Sequence, residues 1–228
     1  MKYEFKMSRL IPGSSLALWF IAPLLVALEL GNQLLDYAEQ KFGVQARERL
    51  LNWQVLANSP AGTNELDALK RVNLFFNQAR FVSDMQHWGM KDYWATPVEM
   101  LITNAGDCED YSIAKYFTLR EMGVQDDKLR ITYVKALELN QAHMVLAYYP
   151  TPEADPLILD NLVKEIKPAS QRTDLAPVYS FNGEGLWLSR LKGEGKRIGD
   201  AAKLDRWVEV NKRLLNEVSK AEGSGVPL

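Results

Sequence analysis

The stretch from residue 104 to residue 123, NAGDCEDYSIAKYFTLREMG, carries the strongest local signal in the chain. Asp107 begins a run of carboxylates, which favours the start of a helix because the helix dipole stabilises negative charge there. Apolar residues then recur every three or four positions, and Gly123 is typical of the left-handed residue that follows a helix. The pattern predicts one helix with Cys108 in its first turn.

Cys108 is the single cysteine of the chain. A thiol in the first turn of a helix lies where the thiolate, its nucleophilic form, is stabilised. The position therefore predicts a pKa for Cys108 below that of a free thiol. A buried, inert cysteine is the alternative, and the helix pattern alone does not exclude it.

The composition is that of one globular domain. The chain has 228 residues, of which 47% are hydrophobic, with six tryptophans, so it is long enough to bury its own core. Its formal net charge is -2 and its basic residues are dispersed, which argues against nucleic-acid binding. Residues 30–228 show no internal repeat or long linker, and we expect them to form a single domain.

Residues 1–29 have the pattern of a secretory signal peptide. Basic residues at positions 2, 6 and 9 precede an apolar run, LALWFIAPLLVAL, at residues 16–28. That run is short for a membrane span and has the length of a signal-peptide core. The pattern predicts export, with an uncleaved anchor or a buried N-terminal helix as alternatives.

Two strands are predicted after the cysteine helix. Residues 141–149, QAHMVLAYY, alternate between two faces, and residues 157–160, LILD, resume a strand after a proline-rich loop. Antiparallel pairing through this loop brings the start of the first strand beside the end of the second. His143 and Asp160 occupy those two ends, so we expect them to lie close together.

The chain has only two histidines, which limits the choice of a catalytic base. His87 lies in an irregular stretch and is expected to be a surface or packing residue. The remaining pattern predicts a triad in which His143 takes the proton of Cys108 while Asp160 orients the imidazole. Backbone N–H groups at the helix start can hold an oxyanion, and the indole N–H of Trp94 is a candidate second donor.

Four sequence blocks resemble one known family. They are WATPVEML at residues 94–101, GDCEDY at 106–111, AHMVL at 142–146 and LDN at 159–161. In residues, order and spacing they closely resemble the bacterial transglutaminase-like cysteine proteinases, and the likeness covers roughly residues 53–187. The GDCEDY block is the specific part.

This resemblance implies an α+β fold with a papain-like, transglutaminase-like core, in which the catalytic cysteine starts a helix that packs on an antiparallel sheet. It places the catalytic triad of the family on Cys108, His143 and Asp160. It also implies calcium dependence, with Asp107 and Glu109 as Ca²⁺ ligands. Without the family, these two carboxylates fit helix-capping charges, since their spacing does not match an EF-hand loop.

The resemblance further implies a periplasmic endopeptidase that cleaves large surface adhesins near an N-terminal di-alanine site. Such cleavage releases the adhesin and detaches the cell from a biofilm. A membrane receptor that senses cyclic di-GMP is implied as a partner that sequesters the protease through a periplasmic domain. Two other functions stay open: a transglutaminase, if an amine resolves the same acyl-thioester, or a catalytically inert module that binds the receptor.

Overall fold

Seven helices lie within residues 27–188 and 195–219, the part of the chain that the computed structural model describes. The predicted cysteine helix begins at Cys108 after the N-cap residue Asp107, and Gly123 follows it with a φ of 92°, which confirms the prediction of its two ends. The helices are α1 (Asn32–Phe42), α2 (Val44–Ala57), α3 (Glu65–Phe76), α4 (Asp84–His87), α5 (Pro97–Thr103), α6 (Cys108–Glu121) and α7 (Asp205–Ser219).

Nine strands accompany them within the same residues. They are β1 (Arg80–Phe81), β2 (Ala105–Gly106), β3 (Leu129–Ala136), β4 (Gln141–Tyr148), β5 (Leu157–Leu159), β6 (Lys167–Pro168), β7 (Leu175–Phe181), β8 (Leu186–Leu188) and β9 (Lys196–Gly199). Seven of these form one antiparallel sheet in the order β6-β5-β4-β3-β7-β8-β9, and β1 pairs with β2 in a short parallel ladder. The predicted pairing of the two strands that carry His143 and Asp160 is confirmed, because β4 pairs antiparallel with β5.

Helix α6 is the central element of the fold. Its side chains are buried on several faces, and Ile113, Ala114 and Leu119 have no exposed surface. One side packs on the sheet at β4 and another packs against α3. Trp53 of α2 donates its indole N–H to Thr118 of α6 at 2.7 Å. The burial of α6 therefore fixes the orientation of its first residue, Cys108, relative to the sheet.

The sheet has an apolar face on each side. The face toward the helices belongs to the main core, and the other face carries a smaller buried cluster that includes Val134, Val145 and Ile158. An antiparallel sheet covered by helices on one side is the expected α+β arrangement. The predicted fold class is confirmed.

The first described residues, which lie close to the predicted end of the signal peptide, pack against the folded domain. Leu28 and Leu30 are buried in the main core, and the backbone of Leu28 makes two hydrogen bonds, each of 2.8 Å, with the side chain of Asn58. Most of the predicted signal peptide, residues 1–26, lies outside the described residues. Within the described residues no helix has both the length and the apolarity that a membrane span requires.

Candidate active site

Cys108 lies in an open cleft between the start of α6 and the sheet. Cys108 is partly buried and lines this cleft, which has a volume of about 420 Å³. Aromatic, aliphatic and ionisable side chains line it, among them Trp94, Tyr133, His143, Leu162 and Tyr179. The cleft therefore gives a substrate access to the cysteine and to one of the two histidines.

His143 and Asp160 meet through strand register. Leu146 of β4 lies opposite Leu159 of β5, so continuation of this register places Asp160 opposite Val145 and diagonal to His143, two residues along the same face of β4. His143 Nε2 and Asp160 Oδ1 are 2.8 Å apart, and both side chains are buried. The proximity predicted from the sequence is confirmed.

The surroundings of Asp160 determine the tautomer of His143. Burial raises the pKa of the Asp160 carboxyl, but hydrogen bonds from His143, the Leu162 amide and Arg172 outweigh it and lower the pKa to about 2. An ionised carboxylate only accepts hydrogen bonds, so His143 Nε2 must carry the hydrogen of this pair. Nδ1 of the neutral ring then keeps a lone pair and can act as a base.

The Cys108 thiol lies beside the strand that carries His143. The backbone N–H of Met144, the residue after His143, acts to lower the pKa of the thiol. Burial nevertheless raises this pKa, and Glu109, whose Oε2 accepts a hydrogen bond from Sγ at 3.0 Å, raises it further. The prediction of a lowered pKa is wrong for the polypeptide alone, because burial and the adjacent carboxylate outweigh the helix dipole.

Five carboxylates gather beside the cysteine. Oxygens of Asp84, Asp92 and Glu109 lie within 4.8 Å of one another, and so do oxygens of Asp84, Asp107 and Asp110. Asp107 is the N-cap of α6 and Glu109 lies in its first turn, and these are the two carboxylates that the family resemblance implies as ligands. Asp84 starts α4, and Asp92 follows it in the next loop.

The acidic cluster suits a hard divalent cation. Asp84 Oδ1 and Asp107 Oδ1 are buried and have no hydrogen-bond partner among the described residues. Burial and then the charge of Glu109 raise the pKa of Asp107 to about 10, and burial is also the main reason that the pKa of Asp84 rises to about 6. Unpartnered carboxylate oxygens held this close are the ligands that Ca²⁺ prefers.

Trp94 lines the cleft, but its indole N–H is engaged. Nε1 donates to Asp92 Oδ1 at 3.0 Å, and the ring stacks on Phe181 with centroids 5.6 Å apart. Arg213 of α7 bonds the Trp94 carbonyl at 2.5 Å and so fixes the backbone. The role of Trp94 as an oxyanion donor stays a prediction, and it requires release of the bond to Asp92.

Some residues of the site carry no signal in the sequence. Asp84 and Asp92 lie in the irregular stretch before α5, where no periodicity indicates which side chains turn inward. Arg172 bonds Asp160 Oδ2 at 2.8 Å, and it lies in a turn 12 residues further along the chain, where no periodic pattern indicates its direction. His87 lies outside the site as predicted: its ring is half-buried against Trp88, and Nε2 is 3.1 Å from the Thr103 hydroxyl.

Comparison with known proteins identifies the family. The sequence profile of the bacterial transglutaminase-like cysteine proteinases (BTLCP) matches residues 47–181. The chain belongs to this family. No curated protein matches the chain significantly.

Solved structures of one member of the family resemble this fold closely. Legionella pneumophila LapG, treated with EGTA, is 45% identical, and the match covers 82% of this chain and 99% of LapG with a TM-score of 0.71. The calcium-bound LapG structure is 46% identical over 80% of this chain and 97% of LapG, with a TM-score of 0.68. The chain therefore shares the LapG-like transglutaminase-like fold over most of its length.

Proposed function

We propose that this protein is a calcium-dependent cysteine endopeptidase with Cys108 as nucleophile, His143 as general base and Asp160 as the residue that orients the imidazole. One observation carries the proposal: His143 lines the same cleft as Cys108 at the head of α6, and buried Asp160 holds its ring at 2.8 Å. Membership of a cysteine proteinase family supports the same chemistry.

Acylation begins with a proton transfer. His143 Nδ1 takes the proton of the Cys108 thiol, and the sulfur attacks the carbonyl carbon of the scissile peptide bond. Asp160 stabilises the imidazolium that forms. Backbone N–H groups at the start of α6 can hold the oxyanion of the tetrahedral intermediate, with Trp94 as the proposed second donor. The C–N bond then breaks as His143 gives its proton to the leaving amine.

Deacylation repeats these steps with water. His143 removes a proton from a water molecule, which attacks the acyl-thioester, and the imidazolium returns the proton to the sulfur as the C–S bond breaks. The acid product then leaves, and Cys108 is again a free thiol, ready for another cycle. An amine in place of water would give the transglutaminase reaction, so the nature of the acceptor separates the two alternatives.

The acidic cluster is proposed to hold Ca²⁺. Asp107 and Glu109 would supply ligands from α6, and Asp84 and Asp92 would supply them from α4 and its following loop. A bound cation offsets the carboxylate charges that oppose ionisation of Cys108. The existence of both calcium-bound and EGTA-treated structures of Legionella pneumophila LapG supports calcium as the metal.

The cellular role is likewise a proposal. The basic and apolar pattern of residues 1–29 supports export to the periplasm. The family resemblance supports a large surface adhesin as substrate, cut near an N-terminal di-alanine site, with biofilm detachment as the outcome. It also supports a periplasmic receptor domain, controlled by cyclic di-GMP, as the partner that sequesters the protease.

The decisive experiment incubates the purified protein with the N-terminal region of a large adhesin from the same organism. We expect one cut, mapped by mass spectrometry, that EGTA stops and added calcium restores. Cys108→Ala and His143→Ala should abolish the cut. His87→Ala is the matched control, because His87 is the other histidine and lies outside the cleft, and it should cleave normally.

Three outcomes would contradict the proposal. Cleavage by Cys108→Ala would require another nucleophile. Incorporation of a fluorescent amine into the fragment without any cut would favour the transglutaminase. Binding of the receptor domain with neither reaction would favour the inert module.

A further inference from the structure

Both carboxylate oxygens of Asp160, and its backbone carbonyl, accept hydrogen bonds from neighbouring residues. Oδ1 accepts from His143 at 2.8 Å and from the Leu162 amide at 3.0 Å. Oδ2 accepts from Arg172 Nη2 at 2.8 Å, and Asn77 Nδ2 donates to the Asp160 backbone carbonyl at 2.8 Å. The residue is 1% exposed, so these protein donors hold the carboxylate in a buried site.

Arg172 is itself fixed in place. It follows a short 3-10 turn, Ala169–Gln171, and is 4% exposed. Its guanidinium forms a two-point pair with Asp174, with Nε–Oδ1 at 2.9 Å and Nη2–Oδ2 at 2.8 Å. Planar two-point pairing fixes the orientation of a guanidinium as well as its position. Arg172 therefore presents Nη2 to Asp160 from one direction only.

We infer that Arg172 is a positioning residue for the proposed protease: it locks the rotation of the Asp160 carboxylate so that Oδ1 faces His143 Nε2. The inference rests on the proposed function for its catalytic consequence, while the geometry that it assigns to His143 does not depend on any substrate.

The lock is needed because of where Asp160 lies. Strand β5 ends at Leu159, so the ladder no longer restrains the next side chain. The terminal torsion of an aspartate is soft, and its carboxylate turns easily unless both oxygens are held. Without Arg172, Oδ2 would be a buried anionic oxygen without a donor, which is strongly unfavourable. The carboxylate would then turn, take up a proton or admit water, and each change weakens the bond to His143.

Arg172 is also the cation near Asp160 that keeps its charge. The charged and titratable groups that face this carboxylate are His143 from β4, Lys115 from α6, and Arg172 with its partner Asp174. Lys115 is fully buried, and this burial lowers the pKa of its amine to about 7. An arginine stays protonated in such surroundings. The positioning role therefore falls to the guanidinium and not to the lysine.

Imidazole NMR tests the inference without a substrate. Protein labelled with ¹⁵N-histidine gives signals from two rings, and His87 serves as the internal reference. In the wild type we expect His143 as the Nε2–H tautomer with a slowly exchanging, strongly deshielded ring proton. Arg172→Met should convert this signal to a tautomer mixture, with ring-proton exchange faster by about tenfold or more, as expected for loss of a buried charged hydrogen bond.

Kinetics on the cleavable fragment give the second readout. Arg172→Met should lower kcat by about ten- to a hundredfold, the usual effect of removing a residue that orients a site ligand, while KM stays unchanged. Arg172→Lys keeps the charge but cannot bond both carboxylates in one plane, so it should recover part of the kcat and part of the exchange protection. Arg130→Met removes another fully buried arginine, on β3 between Tyr149 and Trp187. It controls for stability and should leave both readouts unchanged.

Two results would overturn the inference. One is a wild-type His143 spectrum and kcat in Arg172→Met. The other is an Arg172→Lys variant whose His143 ring-proton exchange rate and kcat equal those of the wild type. This second result decides the case if Arg172→Met does not fold. If the wild type cleaves nothing but the His143 signal still depends on Arg172, the positioning role stands and the proposed proteolysis fails.

Discussion

Replacement of Asp84 by asparagine should make the protein more stable than the wild type without calcium and less stable than the wild type with calcium bound. Asp84 is 3% exposed, and its Oδ2 accepts from the Tyr93 amide at 2.5 Å. An asparagine of the same shape keeps that hydrogen bond through its amide oxygen. It removes one negative charge from the acidic cluster, where carboxylate oxygens lie within 4.8 Å of one another. The substitution therefore changes charge with little change in packing.

The size of the effect follows from charge separation. Two unit charges at this distance repel by about 3.5 kcal/mol at an effective dielectric constant near 20. Partial protonation of the cluster and solvent near Asp92 reduce this, so without calcium Asp84→Asn should be more stable than the wild type by about 1–3 kcal/mol. Calcium at about a hundred times its dissociation constant stabilises the wild type by about 2.7 kcal/mol. The variant lacks one ligand and should gain much less.

Thermal unfolding in EGTA and in saturating calcium measures both effects. For a chain of this length, about 1 kcal/mol corresponds to a Tm shift of about 2–4 °C. We expect Asp84→Asn to melt above the wild type in EGTA and below it in calcium. Asp36→Asn, which breaks an exposed ion pair with Arg47, is the control and should show no such reversal. A variant that is less stable than the wild type in both conditions, with an undiminished response to calcium, would show that Asp84 is neither a source of repulsion nor a calcium ligand.

Three further predictions concern the same region. A Cβ at Gly106 would lie 2.6 Å from Asp110 Oδ2. Gly106→Ala should therefore lower the free energy of unfolding by about 2–4 kcal/mol in a urea titration, because it overpacks the site and breaks hydrogen bonds of Asp110. A change below about 0.5 kcal/mol would contradict this. Arg206 pairs with Asp92 at 2.9 Å and so competes with calcium for this carboxylate. Arg206→Gln should raise the calcium affinity measured by calorimetry by up to about fivefold, because an exposed ion pair contributes about 1 kcal/mol or less. Weaker calcium binding by the variant would contradict this competition. The pKa of Asp160 is lowered from 3.8 to about 2. The ionised carboxylate therefore contributes about 2 kcal/mol to the free energy of unfolding above the unfolded-state pKa, and this contribution is lost as the pH falls through the folded-state pKa. The free energies of unfolding of the wild type and Asp160→Asn, measured by urea titration, should become more similar on acidification, and a constant difference would contradict the shift.

Elements with local signals could be located from the amino-acid sequence. The run of carboxylates and Gly123 indicate both ends of α6, because caps act within one helical turn. Alternation indicates β4, and the proline-rich loop after it indicates an antiparallel return. Since strand register follows from a short connection, the proximity of His143 and Asp160 was predictable as well.

The electrostatic surroundings of the cysteine depend on contacts that form only on folding. The helix position of Cys108 predicts a lowered pKa, but burial and the carboxylate of Glu109 give the opposite direction. Asp84 and Asp92 join the acidic cluster from an irregular segment, where no sequence period indicates which side chains turn inward. Electrostatic energy depends on distance and on exposure to solvent, and both are set by elements far apart in the sequence.

The same reason applies to the residue that orients Asp160. Arg172 is separated from His143 by two strands and their loops, and only the folded sheet brings its guanidinium to the Asp160 carboxylate. Local sequence patterns therefore indicated the candidate nucleophile, base and orienting carboxylate. Their protonation and orientation could not be predicted in this way, because both depend on contacts between elements that no local pattern encodes.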